Sequence, residues 1–294
     1  MNPAQLSTLL AILDEGSFEA AAAQLAITPS AVSQRIKALE KQVGRILIHR
    51  TAPPTATEAG EVLVQAARRM ALLQAETDAR LRERLDRVPL SIAVNADSVA
   101  TWFSPVFRSV AQAGEATLRL RIEDEAHTLN LLRRGDVMGA VTRESQPVSG
   151  CDSLSLGVMH YRAVGTAELR DAFRLDNGEL DWAAMPALRF GPRDALQDED
   201  LHGRVQSATL GQRRISNIPS SEAFVKACCA GLGWALVPEL QCCPLVESGE
   251  LVCLDDEVLS VELHWQRWRL ESRLLEGLTR AVVDAAHQVL EQKD

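Results

Sequence analysis

Residues 28–44 read TPSAVSQRIKALEKQVG, and one set of polar side chains in this segment repeats at i, i+3, i+4, i+7 and i+11. That spacing places the set on one face of an α-helix. The set is Ser30, Ser33, Gln34, Lys37 and Lys41. Hydroxyl and amide groups can hydrogen-bond the edges of nucleic-acid bases, and lysine neutralises phosphates. The face therefore has the chemistry of nucleic-acid recognition, although charged residues also cover ordinary solvated helix faces.

The opposite side of the same segment is apolar. Its residues repeat at i, i+4, i+7 and i+11, which predicts a buried stripe. They are Val32, Ile36, Leu39 and Val43. Thr28 is a favourable N-cap, and Pro29 fits the first helical position, where a missing N–H costs nothing. The segment is thus predicted to be a helix that packs through one face and presents the other.

A second group of chemically interesting side chains lies between residues 95 and 144, where polar residues follow three short apolar runs. Consecutive carboxylates in such a place can bind a cation, but they are also typical of a solvated charge run on a loop. The residues are Asp97 and Ser98 after the first run, Glu123, Asp124 and Glu125 after the second, and Arg143 after the third.

Motifs for catalysis and metal binding are missing from the sequence. The six histidines include no pair at i, i+3 to i+5, and neither a G-x-S-x-G motif nor a phosphate-binding glycine loop occurs. The six cysteines include two vicinal pairs but no C-x-x-C spacing, so we interpret them as small buried hydrophobes, with a thiol metal site as the alternative. The sequence predicts no enzyme activity, no metal and no cofactor.

Length, hydropathy and charge indicate a two-domain protein with one basic region. The chain has 294 residues, 46% of them hydrophobic, which suffices for roughly two domains. No run approaches the ~20 apolar residues of a membrane span, and the signal-peptide pattern is missing, which predicts a cytoplasmic protein without membrane association. The net charge is −9, yet residues 30–50 contain five basic residues and one acid. A local basic patch in an acidic protein is typical of a DNA-binding element.

Periodicity places two further helices before residue 28 and a hairpin after residue 44. Leucines at the spacing of one helix face predict a first helix that ends at Gly16, and Ser17 is a natural N-cap for a second helix from Phe18. Residues 26 and 27 form a tight turn before the third helix. Residues 45–50 are apolar enough for a strand, and the following TAPPTAT turns the chain back. The predicted order is helix, helix, helix and wing.

Residues 17–50, SFEAAAAQLAITPSAVSQRIKALEKQVGRILIHR, resemble the N-terminal domain of the LysR-type transcriptional regulators. The family pattern S-F-x-x-A-A-x-x-L-x-[IV]-[ST]-[PQ]-[SP]-A-[VL]-S is matched throughout. The resemblance implies a winged helix-turn-helix over residues 1–58, whose third helix reads the major groove and whose wing contacts the DNA backbone. It implies the DNA-binding residues Phe18, Thr28, Pro29, Ser30, Ser33, Gln34, Arg35, Lys37 and Arg50.

Residues 59–87 predict one long helix with an apolar stripe. A lone helix of this length cannot bury such a stripe. In the family this linker helix pairs with its copy, so the resemblance implies a homodimer that binds a dyad-symmetric operator. The alternative is a helix that packs on the effector domain of its own chain. The stripe consists of Val62, Leu63, Ala66, Met70, Leu73, Thr77, Leu81 and Leu85.

Residues 88–294 alternate short apolar runs with helix-like segments, which predicts parallel βαβ units. The arrangement looks like the two-lobed, periplasmic-binding-protein-like α/β effector domain of the family. Lobe I is predicted at 89–161 and 267–294, and lobe II at 162–266. The predicted strands are 90–95, 117–123, 137–142, 162–166, 187–191, 213–218, 234–239 and 261–270, with a closing helix at 274–291.

Open parallel sheets bind ligands beyond the carboxyl ends of their strands. On lobe II, Pro219 and Ser220 lead into a predicted helix whose free N–H groups suit a carboxylate. An acidic lobe I and a carboxylate-binding lobe II together fit a basic amino acid. We predict that its terminal cation meets the acidic run, with Glu123 and Glu125 preferred over Asp124. Its α-amino group is assigned to Asp97 and Ser98, and its carboxylate to Arg143, Thr166 and the backbone of Ser220.

Three segments of the effector domain, AVNADSVATWF, IEDEAHTLNLLRRGDVMGAVTRE and HWQRWRLES, resemble the LysG/ArgP branch of the family, the regulators of basic amino-acid export. The resemblance implies L-lysine, L-arginine or L-histidine as co-inducer and activation of an exporter gene. It implies double-stranded DNA, RNA polymerase and further copies of the chain, as a dimer or tetramer, as partners. The alternatives are a ligand-independent nucleoid-associated or replication-origin-binding protein, a regulator of another metabolite, and a pure small-molecule-binding protein.

Overall fold

The structure of the protein is a computed structural model that describes residues 2–82, 88–114, 116–122, 125–191, 194, 196–201 and 214–292. The N-terminal region contains three helices, a two-stranded wing and a long helix. These elements are α1 (Pro3–Glu15), α2 (Phe18–Gln24), α3 (Pro29–Val43), β1 (Ile48–His49), β2 (Thr55–Ala56) and α4 (Glu58–Arg82). The predicted strand at 45–50 is thus confined to two residues, and the described part of the linker helix ends at Arg82.

Side-chain caps fix the starts of the N-terminal helices. The hydroxyls of Ser17 and Thr28 accept hydrogen bonds from the backbone N–H groups of Ala20 and Ala31, as the sequence predicts. Val32, Ile36 and Leu39 are buried against α1 and α2. The prediction for Val43 is wrong: its side chain is 39% exposed. It lies in the last turn of α3, beyond the packed region, where Gly44 turns the chain away with a left-handed φ of 74°.

The effector domain begins with a parallel set of strands. β3 (Val88–Val94) pairs in parallel with β4 (Ala116–Ile122) and β5 (Gly139–Thr142), which confirms the first predicted βαβ units. The helices between these strands are α5 (Ala96–Ala100), α6 (Ser104–Ala113) and α7 (Glu125–Arg134).

The second half of the domain is mostly antiparallel, so the prediction of parallel units is wrong there. The predicted strand at 162–166 is the end of a 15-residue strand, β6 (Cys151–Gly165), which pairs with three later strands in antiparallel fashion. A separate pair, β7 (Ala187–Arg189) and β8 (Ile215–Asn217), is parallel. The elements are α8 (Ala167–Ala172), β7 (Ala187–Arg189), α9 (Leu196–Leu201), β8 (Ile215–Asn217), α10 (Ser221–Cys229), β9 (Ala235–Pro238), α11 (Glu239–Ser248), β10 (Val252–Cys253), β11 (Leu259–Trp268) and α12 (Arg273–His287).

Two long strands run across the predicted lobe boundaries. β6 continues through the 161/162 boundary, and β11 continues through the 266/267 boundary. β5 pairs with β11 where Gly139 faces the ring of Trp265, and a Cβ at position 139 would lie 2.3 Å from that ring. Glycine is therefore required for this close approach. The domain and lobe boundaries given above stay predictions.

The six cysteines are free thiols, and three of them are buried. Cys151, Cys228 and Cys242 behave as the predicted small hydrophobes, whereas Cys243 is exposed. Burial raises the pKa of Cys228 and of Cys242 to about 12, so their reactive thiolate forms are suppressed. Within the described residues, no group of histidine, cysteine and acidic side chains has the arrangement of a metal site, and no helix could span a membrane.

Candidate functional site

The polar stripe of α3 is presented outward. Ser30, Gln34 and Lys37 have exposed side chains, and Ser33 is half-buried. The hydroxyls of Thr28 and Ser30 lie 2.9 Å apart in a hydrogen bond that orders the exposed start of the helix, with Pro29 between them. The structure thus brings these predicted DNA-binding residues together on one surface.

Arg35 lies beside this surface. Its side chain is half-buried, and its Nη1 lies 3.5 Å from Oγ1 of Thr8 on α1. This long contact directs the guanidinium toward α1, so Arg35 joins two helices of the domain. Its predicted role as a DNA-binding residue stays a prediction.

The wing places a cation next to the second helix. The guanidinium carbon of Arg50 lies 5.6 Å from the centre of the Phe18 ring, which is within the range of a cation–π contact. Glu40 of α3 accepts a 2.9 Å hydrogen bond from the backbone N–H of Leu47, and this bond ties the wing to α3. Phe18 and Arg50, which are 32 residues apart in the sequence, therefore belong to one surface.

The long helix α4 has two different faces. Val64, Ala67 and Leu72 are buried against their own chain, and Leu63 packs partly on the helix-turn-helix core. The outer stripe of α4 is exposed, with Met70 at 56% and Leu73 at 39%. Leu81 and Leu85 lie outside the residues whose side chains are described. The outer stripe consists of Val62, Ala66, Met70, Leu73 and Thr77. Both alternatives for α4 are thus represented: one face packs on its own chain, and the other is open to a partner.

In the effector domain, Asp97 lies on α5 directly beyond the carboxyl end of β3. Its Oδ2 accepts a 3.0 Å hydrogen bond from the hydroxyl of Tyr161, which is buried on β6. Burial raises the pKa of Asp97 to about 6; the bond from Tyr161 opposes this effect, and the charge of Asp194 on lobe II adds to it. A carboxylate whose charge is disfavoured in this way is stabilised by a ligand cation.

Ser98 follows Asp97 and is fully buried. Its Oγ has no hydrogen-bond partner within the described part of the chain. A buried hydroxyl without a partner is costly, and a bound polar ligand can satisfy it. The two residues assigned to the α-amino group therefore sit side by side beyond the carboxyl end of β3, where the predicted effector cleft between the two lobes begins.

Arg143 lies directly after β5 and forms a bidentate ion pair with Glu199 on α9. The distances are 3.1 Å from Nη1 to Oε1 and 2.7 Å from Nη2 to Oε2. This pair bridges the two predicted lobes. If Arg143 binds the effector carboxylate as predicted, that carboxylate must either bind Arg143 together with Glu199 or displace Glu199 from it.

The lobe II candidates lie at two helix starts. Thr166 caps α8 by accepting from the N–H of Leu169 at 3.2 Å, and Ser220 caps α10 by accepting from the N–H of Ala223 at 3.4 Å. The backbone N–H of Ser220 donates to the carbonyl of Ile218 at 2.9 Å. Pro219 and Ser220 are exposed, and α10 contacts α5, the helix that carries Asp97 and Ser98.

The acidic run is described only in part. Glu123 and Asp124 lie outside the described residues, and Glu125 is described only as the first residue of α7. The assignment of these three residues to the ligand cation stays a prediction.

Sequence reasoning missed Tyr161, Asp194 and Glu199. Tyr161 is the only tyrosine of the chain, but it lies inside a long apolar strand. Glu199 belongs to an acidic helix, LQDEDL, whose sequence is typical of an ordinary solvated segment. Their roles arise from long-range contacts, and the local pattern contains no signal for them.

Two family descriptions match the chain. The description "Bacterial regulatory helix-turn-helix protein, lysR family" matches residues 3–61, and "LysR substrate binding domain" matches residues 83–291. The chain is a LysR-type transcriptional regulator. This confirms the predicted fold class, a winged helix-turn-helix followed by a linker helix and an α/β effector domain.

The regulator is similar to named members of one branch. It is 62% identical over 286 residues to the lysine export transcriptional regulatory protein LysG of Corynebacterium glutamicum, across 97% of this chain and 98% of that protein. It is 40% identical to ArgP from Mycobacterium tuberculosis, whose crystal structure matches 98% of each chain with a TM-score of 0.84. The predicted LysG/ArgP branch is confirmed.

Two full-length structures of LysG from C. glutamicum also match this regulator at 60% identity. The structure with bound effector Arg has a TM-score of 0.82 and covers 99% of this chain and 100% of that chain. The other structure has a TM-score of 0.67 and covers 99% of each chain. The TM-score is thus lower for the second LysG structure, although identity and coverage are nearly the same.

Proposed function

We propose that this LysR-type regulator senses a basic amino acid, L-lysine or L-arginine, and controls transcription of an amino-acid exporter gene. The observation that carries the proposal is the similarity to LysG, which is named as a regulator of lysine export and has a structure with bound arginine that matches 99% of this chain. The amino-acid effector is the small-molecule ligand of this proposal, which includes no cofactor.

The chemistry of the cleft supports a cationic ligand. Asp97 has a raised pKa because its charge is poorly solvated, and Asp194 adds a second negative charge. An ammonium group near Asp97 favours the ionised carboxylate and lowers the electrostatic cost of both acids. The buried Oγ of Ser98 offers a further polar contact. The residues proposed to receive the other end of the ligand are Arg143, Thr166 and Ser220, and the Ser220 N–H must then give up its bond to the carbonyl of Ile218.

The N-terminal domain supports sequence-specific binding to double-stranded DNA. Gln34 can pair bidentately with adenine, and Lys37 and Arg50 can neutralise phosphates. Two copies joined through the outer stripe of α4 would present two α3 helices to a dyad-symmetric operator. Tetramer formation, contact with RNA polymerase and action in the cytoplasm belong to the same proposal.

The ligand assignment is tested by calorimetry with L-lysine, L-arginine and L-leucine. The proteins are the wild type, Asp97→Asn, Glu125→Gln and the control Asp171→Asn, whose carboxylate lies on the surface of α8 and pairs with Arg170 at 2.8 Å. We expect lysine or arginine to bind the wild type and the control equally, and to bind the other two variants at least about tenfold more weakly. Leucine should not bind.

Tight leucine binding would contradict the ligand class, and full lysine affinity in Glu125→Gln would contradict the role of that residue. The regulatory part is tested by footprinting with and without the amino acid. If neither lysine nor arginine changes operator affinity or transcription, ligand-independent DNA binding describes the protein better.

A further inference from the structure

Arg68, on α4, joins the DNA-binding domain to the effector domain. Its Nη2 lies 2.7 Å from Oδ1 of Asp14 at the end of α1 and 3.2 Å from Oδ1 of Asp136, just before β5. We propose that this Arg68 link transmits the state of the effector cleft to the DNA-binding domain. The proposal rests on the proposed function in treating the cleft as the place where the effector binds.

The position of Arg68 distinguishes it from ordinary surface ion pairs. The Arg68 side chain is only 13% exposed, and its Nε has no hydrogen-bond partner in the described part of the chain. A partly buried guanidinium that serves two carboxylates interacts more strongly than a solvated pair. The pair between Arg134 and Glu61 spans the same boundary, but its atoms are 3.4 Å apart and the Arg134 side chain is 62% exposed. Such a pair contributes little.

The effector-domain side of the link is rigid. The N–H of Asp136 donates to the carbonyl of Leu131 on α7, and the N–H of Met138 donates to the carbonyl of Ser91 on β3, both at 2.8 Å. Asp136 is thereby bonded directly to α7, and the chain two residues later is bonded to β3. It lies two residues before Met138 and three before the start of β5.

β5 connects this point to the cleft. The strand has four residues, all buried, and it ends at Thr142, directly before Arg143 and its ion pair with Glu199 on lobe II. A strand rises ~3.3 Å per residue, so β5 spans only about 10 Å. Because packed cores resist deformation, movement of lobe II that pulls on Arg143 displaces β5 as a unit and reaches Asp136.

A cavity adjoins Arg68 at the boundary between the DNA-binding domain and the effector domain. A cavity of about 320 Å³ lies between α1, α4 and the effector domain, and Arg68 and Asp136 are part of its lining. Arg69, the next residue on α4, stacks over the ring of Trp268 at 5.2 Å, and Glu76 hydrogen-bonds Ser272, so α4 from Arg69 onward is held on the effector domain. This cavity leaves room for small rearrangements of the DNA-binding domain next to Arg68.

The test is a double-mutant cycle on DNA affinity that needs no ligand. Glu199→Gln weakens the interlobe pair, and Arg68→Gln weakens the link. The probe is a duplex that the wild-type protein selects from a randomised library, with affinity measured by fluorescence anisotropy. We expect Glu199→Gln to change the dissociation constant of the otherwise wild-type protein by at least about threefold, and to have almost no effect when Arg68→Gln is also present.

Arg134→Gln is the matched control, since it removes the exposed pair across the same boundary. In a protein that carries Arg134→Gln, the Glu199→Gln change should alter the dissociation constant for the duplex as much as it does in the otherwise wild-type protein. Asp136→Asn should reproduce Arg68→Gln, and it replaces that variant if Arg68→Gln does not fold. An equal effect of Glu199→Gln with and without Arg68, or no effect in the otherwise wild-type protein, would overturn the proposal.

A second arm separates this proposal from the proposed function. L-Arginine is titrated into the wild-type protein in a calorimeter. If arginine does not bind while the cycle shows coupling, the ligand assignment is wrong and the link through Arg68 stands. If arginine binds while the cycle shows no coupling, the link is wrong and the ligand assignment stands.

Discussion

The hydroxyl of Tyr161 donates a 3.0 Å hydrogen bond to Oδ2 of Asp97, and this contact joins the helix after β3 to the strand that runs from lobe I into lobe II. The bond holds a poorly solvated carboxylate in place and counteracts part of the rise in its pKa. Asp97 is therefore held by β6, one of the two strands that cross the predicted lobe boundaries.

Ligand affinity should depend on pH through Asp97. Its pKa is about 6 in the free protein, and a cationic ligand binds the ionised form. The affinity for L-lysine should therefore be constant above pH 7 and fall up to about tenfold per pH unit below pH 6, because protonation of Asp97 competes with binding. Calorimetry between pH 5 and 8 measures this profile.

The control for the pH profile is Asp97→Asn. Its residual lysine affinity should be low and should vary little over the same range. If the lysine affinity of Asp97→Asn fell in the same way below pH 6 as that of the wild type, the titrating group would be a residue other than Asp97.

Asp97→Asn should also stabilise the protein without ligand at neutral pH. The pKa of Asp97 is higher in the folded protein than its ordinary value of 3.8, so the folded state binds this proton more tightly than the unfolded state does. The contribution of the protonated carboxyl to the free energy of unfolding is complete below pH 3.8 and is lost as the pH rises through about 6. The amide keeps the shape and can still accept from Tyr161. We expect a gain of up to about 3 kcal/mol in the free energy of unfolding at pH 7.5.

Thermal or urea unfolding at several pH values measures this gain. The advantage of the variant should shrink between pH 7 and pH 5. A gain that is the same at both values would mean that Asp97 carries no unfavourable charge in the folded protein.

The helix-turn-helix could be predicted in detail because its signals are local. The caps Ser17 and Thr28 and the buried residues Val32 and Ile36 lie within one turn or one helix of the features that they determine. The predicted burial of Val43 is the exception. Periodicity continues the apolar stripe to the last residue of α3, but α1 and α2 do not pack against the helix that far.

The effector cleft could be predicted only in outline. Asp97 and Arg143 were found because they follow strands, but their partners Tyr161 and Glu199 are 64 and 56 residues away. Strand direction in lobe II was mispredicted for the same reason: apolar runs identify strands, whereas their pairing with β6 depends on contacts far apart in the sequence.

Gln34→Ala should reduce sequence discrimination. Gln34 is exposed on α3, and loss of a bidentate pair with a base costs about 1 to 3 kcal/mol at the cognate site. Competition binding with operator and random duplexes measures the change, which should affect the operator far more than random DNA. An unchanged footprint and specificity would show that this face of α3 is not the reading face.

Arg50→Ala should instead weaken binding to all duplexes alike. Arg50 lies on the wing, over the ring of Phe18, where it can contact a phosphate but is not on the α3 face. The slope of log affinity against log salt should fall by about one. A loss confined to the operator would give Arg50 a base-reading role. Arg50→Lys is the informative companion, because it keeps the charge and should retain most of the salt dependence.

Leu73→Asp should convert the dimer into monomers that still bind effector. Leu73 lies on the outer stripe of α4, where it is 39% exposed in the single chain, and a carboxylate buried in an apolar helix contact costs several kcal/mol. The monomer should bind operator DNA weakly, because each half-site then binds alone. Gln74→Asp is the control: it adds the same charge at an exposed position about 100° around the helix from Leu73 and should leave the dimer intact.

Sedimentation velocity distinguishes the two proteins, and calorimetry with L-arginine verifies that the effector domain remains folded. A Leu73→Asp dimer of wild-type stability would place the subunit interface on another surface.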